Sequence, residues 1–177
     1  GRRVGISSAN SATEWFARMV LARGQVAAEE VEFVHVGTSI AAATALRDGR
    51  IDALVNVDPV INQLELGGEF RLIADARSLR GAQELYDGPM PGGCLYAPQG
   101  FIVRYPRTVQ GLTNAVVRAL KWLQTAGPSD IVRTVPEVYM SGDRAVYLAA
   151  LEKVREAFSP DGLLSEEAVR TAHRMVE

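Results

Sequence analysis

The densest concentration of chemically useful side chains lies at Gly5-Ile6-Ser7-Ser8-Ala9-Asn10-Ser11-Ala12-Thr13, where a β-rich run gives way to an amphipathic one. In an open α/β sheet, ligands bind beyond the carboxyl ends of the strands. Hydroxyls and free backbone N–H groups at a helix start there would be aimed at a small anion, and the helix dipole adds to the attraction. One Ser or Asn at such a place is simply an N-cap. Ser7, Ser8, Asn10, Ser11 and Thr13 together exceed what a cap requires and form a candidate anion-binding cluster. Asp58, at the end of another apolar run and followed by Pro59, has two readings. As N-cap to a helix with Pro at its first position it is fully explained. Its carboxylate also suits a ligand amine or hydroxyl at the same sheet edge. Asn56, two positions earlier in a strand pattern, needs a polar partner.

Catalytic arrangements are poorer. Gly5-Ile6-Ser7-Ser8-Ala9 misses the G-x-S-x-G nucleophile elbow because Ala9 stands at the last glycine position. His173 follows Asp52 and Asp58 in the order of a Ser7 hydrolase triad, but it sits in a terminal helical pattern that suits a surface histidine. His35, within Phe33-Val34-His35-Val36, reads as a strand residue. With Cys94 the single cysteine and two histidines in all, a zinc cluster lacks ligands, and no intramolecular disulfide is available. No metal or cofactor is expected: P-loop and G-x-G-x-x-G patterns are missing.

The elements that must position these residues follow from periodicity. Arg3–Ile6, Val31–Val36, Ile51–Val57 and Phe70–Ala74 read as strands. Helices are expected from Thr13 to Arg23, ended by Gly24, from Ser39 to Arg47, and from Pro59 to about Leu66. Alternation of this kind predicts βαβ crossovers onto a mainly parallel sheet. Residues 78–93, rich in Gly and Pro, read as a linker or hinge, followed by one short strand at Cys94–Ala97. Four helices are then expected: one starting at Pro106 and ending before Gly127, with a stripe of Val109, Leu112, Val116, Leu120 and Leu123, then Ser129–Thr134, Asp143–Phe158 and Ser165–Val176.

Composition sets the bounds. The 177 residues are 47% apolar and 23% charged with a net charge of −2, as in ordinary globular proteins. The balance argues against a nucleic-acid partner, and no apolar run approaches the ~20 residues that span a bilayer. Four helical stripes with one short strand to cover them imply a second sheet N-terminal to Gly1; packing as a small bundle, or self-association through exposed helices, is the alternative. The opening at Gly1, within two residues of a strand, points the same way.

The order of several short segments adds a resemblance. Arg2-Arg3-Val4-Gly5-Ile6-Ser7, Ala45-Leu46-Arg47-Asp48-Gly49-Arg50-Ile51-Asp52-Ala53, Val57-Asp58-Pro59 with Gln63-Leu64-Glu65, and Leu72-Ile73-Ala74-Asp75 are similar to solute-binding proteins of ABC importers. Tyr96-Ala97, Phe101-Ile102, Tyr105-Pro106 and Ala119–Leu123 continue the likeness. The group resembled is the nitrate/sulfonate/taurine type, related to the NMT1/THI5-like thiamine-precursor-binding proteins. That resemblance implies a type II periplasmic-binding-protein-like α/β fold: residues 1–77 as the second, ligand-cleft lobe, 78–93 as hinge, and 94–177 as helices returning to a first lobe whose opening part would precede Gly1. It implies a small anionic or zwitterionic ligand, an ABC permease as partner, a periplasmic or extracytoplasmic location with the export signal outside this sequence, and no reaction. Ser7, Ser8, Asn10, Ser11 and Thr13 match the family's oxyanion-binding helix start, and Asp58 its third-strand cleft position. A small-molecule hydrolase using Ser7, or an effector-sensing module of a regulator, are the alternatives.

Overall fold

The computed structural model describes residues 1–140 and 143–175. The chain divides into two compact units, Gly1–Ile73 with Ala145–Ala150, and Ala74–Arg144 with Leu151–Glu177.

The first unit is built on a three-stranded parallel sheet. Strands β1 (Arg2–Ile6), β2 (Val31–His35) and β3 (Ala53–Leu54) lie in the order β2-β1-β3, with Arg2 opposite Val31 and Val4 opposite Ala53. Helices α1 (Ala12–Arg23), α2 (Ile40–Arg47) and α3 (Val60–Gly67) follow the strands in turn. Side-chain alternation along β1 sorts the two faces. Val4 and Ile6 pack with Ala17 of α1, Val31, Phe33 and Ala53. On the other face, Ala42 and Ala43 of α2 meet Val60 and Leu64 of α3, with Val36 and Leu54 against them. Gly5 points to that second face, where a Cβ would stand 2.5 Å from Ile51 Cδ1. Its missing side chain lets the layer close onto the central strand.

The first three strands form near the expected positions, but β3 is far shorter than Ile51–Val57. Its flanking polar side chains explain this. Asp52 Oδ2 accepts the Arg3 N–H at 2.8 Å, and Asn56 donates to Gly37 O at 2.8 Å while accepting the Val57 N–H at 2.9 Å. The side chains thus take over backbone partners on either side of Ala53–Leu54. The expected strand at Phe70–Ala74 does not form, and Ile73 is 76% exposed. An alternating apolar run becomes a strand only where a neighbour offers paired backbone groups. Helix α1 also ends differently: Gly24 keeps φ −80°, and Gln25 adopts the left-handed conformation at φ 58° while the Val26 N–H reaches back to Leu21 O.

The second unit is helical: α4 (Leu79–Tyr86), α5 (Gln99–Arg104), α6 (Pro106–Thr125), α7 (Pro128–Thr134), the two ends of α8 (Arg144–Val154) and α9 (Glu166–Arg174). Helix α4 occupies half of the segment expected to be a linker. Ser78 caps it by accepting the Gly81 N–H at 3.0 Å, and Glu156 accepts the Leu79 N–H at 3.1 Å. Cys94–Ala97 is irregular and exposed apart from Ala97, rather than a strand. Helix α5 was not foreseen; Phe101 on it and Tyr105 at its end pack with ring centroids 5.1 Å apart and planes inclined at 52°. Arg155 donates to Leu123 O and Ala126 O, carbonyls at the C-terminus of α6. Ser165 caps α9 as expected, and the expected end of that helix at Val176 lies outside the described residues.

The approach to α4 is the tightest backbone contact. A Cβ on Gly81 would lie 1.9 Å from Asp75 O. Gly81→Ala is therefore expected to cost about 1–3 kcal/mol in urea denaturation, while Gly111→Ala, in open space on α6, gains about 1 kcal/mol from helix propensity. The Arg77 guanidinium, bonded at 2.7 and 2.8 Å, holds the Asp75 carboxyl below its ordinary range. A depressed folded pKa stabilises above about pH 4 and loses that contribution as pH falls through the folded value. Melting of Asp75→Asn should therefore decline less than wild type between pH 6 and pH 3.

Candidate functional site

Because β1 pairs in parallel with both neighbours, the β1–α1, β2–α2 and β3–α3 loops leave one edge of the sheet. Five of the six candidate residues sit in the first of these loops or the first turn of α1, and Asp58 sits in the third.

The Ser7–Thr13 cluster is a bonded unit with a countable set of protons. Thr13 is 6% exposed; its Oγ1 accepts the Ser7 N–H at 2.9 Å and lies 2.8 Å from both Ser7 Oγ and Ser11 Oγ. Ser11 Oγ donates its one proton to Ser8 O at 2.6 Å. The bond between Ser11 and Thr13 must then be donated by Thr13, and that between Ser7 and Thr13 by Ser7. All three hydroxyl protons are thus spent inside the loop, in the direction Ser7 to Thr13 to Ser11 to Ser8 O. Ser11 also caps α1 by accepting the Glu14 N–H at 3.3 Å. Donors of this segment without a partner among the described residues include the Ser8 hydroxyl, the Asn10 side-chain amide and the backbone N–H groups of Ser8, Ala9, Ser11, Ala12 and Thr13. Ser7, Ser11 and Thr13 accordingly shape the loop, while Ser8 and Asn10 are its exposed polar side chains.

Asn10 takes the left-handed conformation at φ 56° and gives its N–H to Glu14 Oε2 at 2.8 Å. Arg18 binds the same carboxylate at 2.7 and 2.9 Å; with the Asn10 N–H it holds the Glu14 carboxyl below its ordinary value. Glu14 was not singled out in the sequence, although Ser11-Ala12-Thr13-Glu14 carries the S-x-x-E spacing of a capping box. Here the carboxylate reaches Asn10 N–H rather than the N-cap residue. Its pairing with Arg18 limits the negative charge it sets against the helix N-terminus.

Asp58 is not the N-cap itself. Pro59 occupies that position and Val60 begins the helix, one residue later than expected. Asp58 Oδ1 nevertheless accepts the Asn62 N–H at 2.8 Å, so the capping bond is made from one position further out. The Asp58–Pro59 peptide is cis. Asn56 finds its partner in Gly37 O and ties the second loop to the third. Asn62, which the sequence reading passed over, is fully buried and donates to Val146 O at 3.3 Å, while its Oδ1 has no partner.

Within this unit the hydrolase reading gains no support from Ser7 or Asp52. Ser7 Oγ is bonded to a hydroxyl, which is no general base. Asp52 is held by Arg3 toward the opposite end of the strands, four residues or about 13 Å along β1 from Ser7. Among the described residues no three or more His, Cys, Asp or Glu side chains gather as metal ligands would, and no helix is long and apolar enough to cross a membrane.

Thr13→Val keeps shape but leaves the Ser7 N–H without its acceptor. A loss of about 1–3 kcal/mol in chemical denaturation is expected, with Thr13→Ser close to wild type.

Residues 1–135 match the NMT1-like family. A solved structure of a Bordetella bronchiseptica RB50 protein is 45% identical over 99% of this chain, with a TM-score of 0.92. This chain spans 55% of that protein's length. No curated protein matches the sequence. The family match extends over β1 to α7 and so includes the three loops at the sheet edge; the chain belongs to the NMT1-like family.

Proposed function

We propose that this chain is part of an extracytoplasmic solute-binding protein that captures a small anionic or zwitterionic ligand and delivers it to an ABC permease, with no reaction of its own. A sulfonate, taurine, nitrate or a thiamine-precursor-like molecule fits that description. Membership of the NMT1-like family supports the solute-binding role. The observation that carries the ligand class is the start of α1, where the Ala12 and Thr13 N–H groups stay available beside a loop whose hydroxyls are already committed. Such a start holds an anion by backbone donors and the helix dipole at little cost in reorganisation. In this reading residues 1–77 supply the ligand-binding lobe, 78–93 contain the connection, and 94–177 belong with the other lobe. Asp58 receives the ligand's positive end if it has one.

Isothermal titration with ethanesulfonate, taurine and nitrate tests the reading, with native mass spectrometry for a co-purified ligand. Ser8→Ala should weaken anion binding about tenfold, the size of one hydrogen bond to a charged group, with unchanged melting. Ser11→Gly, which keeps a tolerable cap, and Ser11→Ala should both weaken it by loosening the loop. Asp58→Asn retains a capping oxygen and removes the charge, so taurine should lose affinity about tenfold while ethanesulfonate does not. Absence of heat with all three ligands, and of any co-purified ligand, would remove the proposal.

A further inference from the structure

The charge of this chain is unevenly spread. Residues 88–129 contain no Asp or Glu and four cations, Arg104, Arg107, Arg118 and Lys121, a net +4 in a chain of net −2. Elsewhere arginines mostly stand in ion pairs, as Arg18 does with Glu14, Arg80 with Glu84 and Arg133 with Asp130. Arg107, Arg118 and Lys121 on α6 are exposed and in no ion pair among the described residues. Asp161 is near enough to sense Lys121, but its carboxylate is engaged by the Leu163 N–H and the Ser159 hydroxyl.

Helical geometry collects these cations. Arg107 and Arg118 are eleven residues apart, about three turns, so they share one face at roughly 16 Å separation along the axis. Lys121, three residues on, adjoins Arg118. At 100° per residue the apolar stripe of Val109, Leu112, Val116, Leu120 and Leu123 is centred on the opposite face. The cationic face is therefore separate from the stripe and free of carboxylates along 20 residues. Trp122, 36% exposed, lies at its border, and the preceding α5 presents Val103 at 74% exposure.

We infer that the α6 face of Arg107, Arg118 and Lys121 docks on an anionic lipid surface. Charge complementarity selects an anionic partner. The spacing favours lipid over an acidic protein, because laterally mobile headgroups meet cations 16 Å apart without a matched carboxylate for each. A bordering indole and exposed aliphatic side chains also suit the headgroup layer. Such contact is weak and reversible, and it would raise the concentration of the protein along the membrane. It is independent of which solute the first unit binds.

Co-sedimentation of the whole chain with vesicles tests this. Binding is expected to vesicles of phosphatidylcholine with 30% phosphatidylglycerol in about 50 mM salt, and not to phosphatidylcholine alone or in 500 mM salt, since exposed charges are screened. Each cation near such a surface contributes about fivefold, so Arg107→Gln/Arg118→Gln/Lys121→Gln should lose about a hundredfold. Arg50→Gln/Arg80→Gln/Arg133→Gln makes the same change of net charge elsewhere and should retain binding. Equal binding to neutral vesicles, insensitivity to salt, or equal loss in both triple variants would overturn the proposal. So would binding to polyglutamate without binding to the anionic vesicles, which would mark an acidic protein partner instead.

Discussion

Parallel pairing on both sides of β1 is the constraint from which the first unit follows. A central strand with two parallel neighbours sends all three outgoing loops to one edge and all three returns to the other. The first helix then covers one face and the next two the other, which requires a small residue at Gly5 and the short aliphatics Ala42 and Ala43 at the layer interface. Ser7, Ser8, Asn10, Ser11, Thr13, Asn56 and Asp58 gather where the loops leave. Asp52 and Asn56 show the division: one terminates the sheet at its rear through Arg3, the other joins loops at its front through Gly37.

The elements that could be read from sequence were those specified by local information. Helices α1, α2, α6 and α9 carry period-3.6 stripes or side-chain caps, with Ser11, Ser39 and Ser165 bonded as caps to their own helices. Strands β1 and β2 combine apolar runs with flanking turn formers. What failed depended on partners distant in sequence. Phe70–Ala74 and Cys94–Ala97 have strand composition, yet no neighbouring backbone pairs with them among the described residues. Helix α4, in a segment punctuated by Gly and Pro, depends on Ser78 and on Glu156, 77 residues away from Leu79.

The candidate site was legible as a set of residue types and not as a division of labour. Sequence places Ser7, Ser8, Asn10, Ser11 and Thr13 together without saying which face inward. Only the bond directions separate a buried acceptor such as Thr13 from an outward hydroxyl such as Ser8. Asp58 was placed correctly at the third loop, but its capping role shifted by one position because Pro59 itself occupies the N-cap. Asn62 gave no warning in the sequence. A polar residue in the first turn of a helix is ordinary until its burial beside Val146 is seen.

The one-way order of the hydroxyl protons has an electronic consequence for the peptide they end on. Ser8 O receives the Ser11 proton at 2.6 Å, and that carbonyl belongs to the same amide group as the Ala9 N–H. Chains of hydrogen bonds polarise one another, by about 10–30% per bond. Electron density drawn toward Ser8 O leaves the Ala9 nitrogen poorer in charge and its hydrogen more positive. Three side chains bonded among themselves thereby sharpen the acidity of the Ala9 N–H, and the strength of that donor is set by the length of the relay behind it.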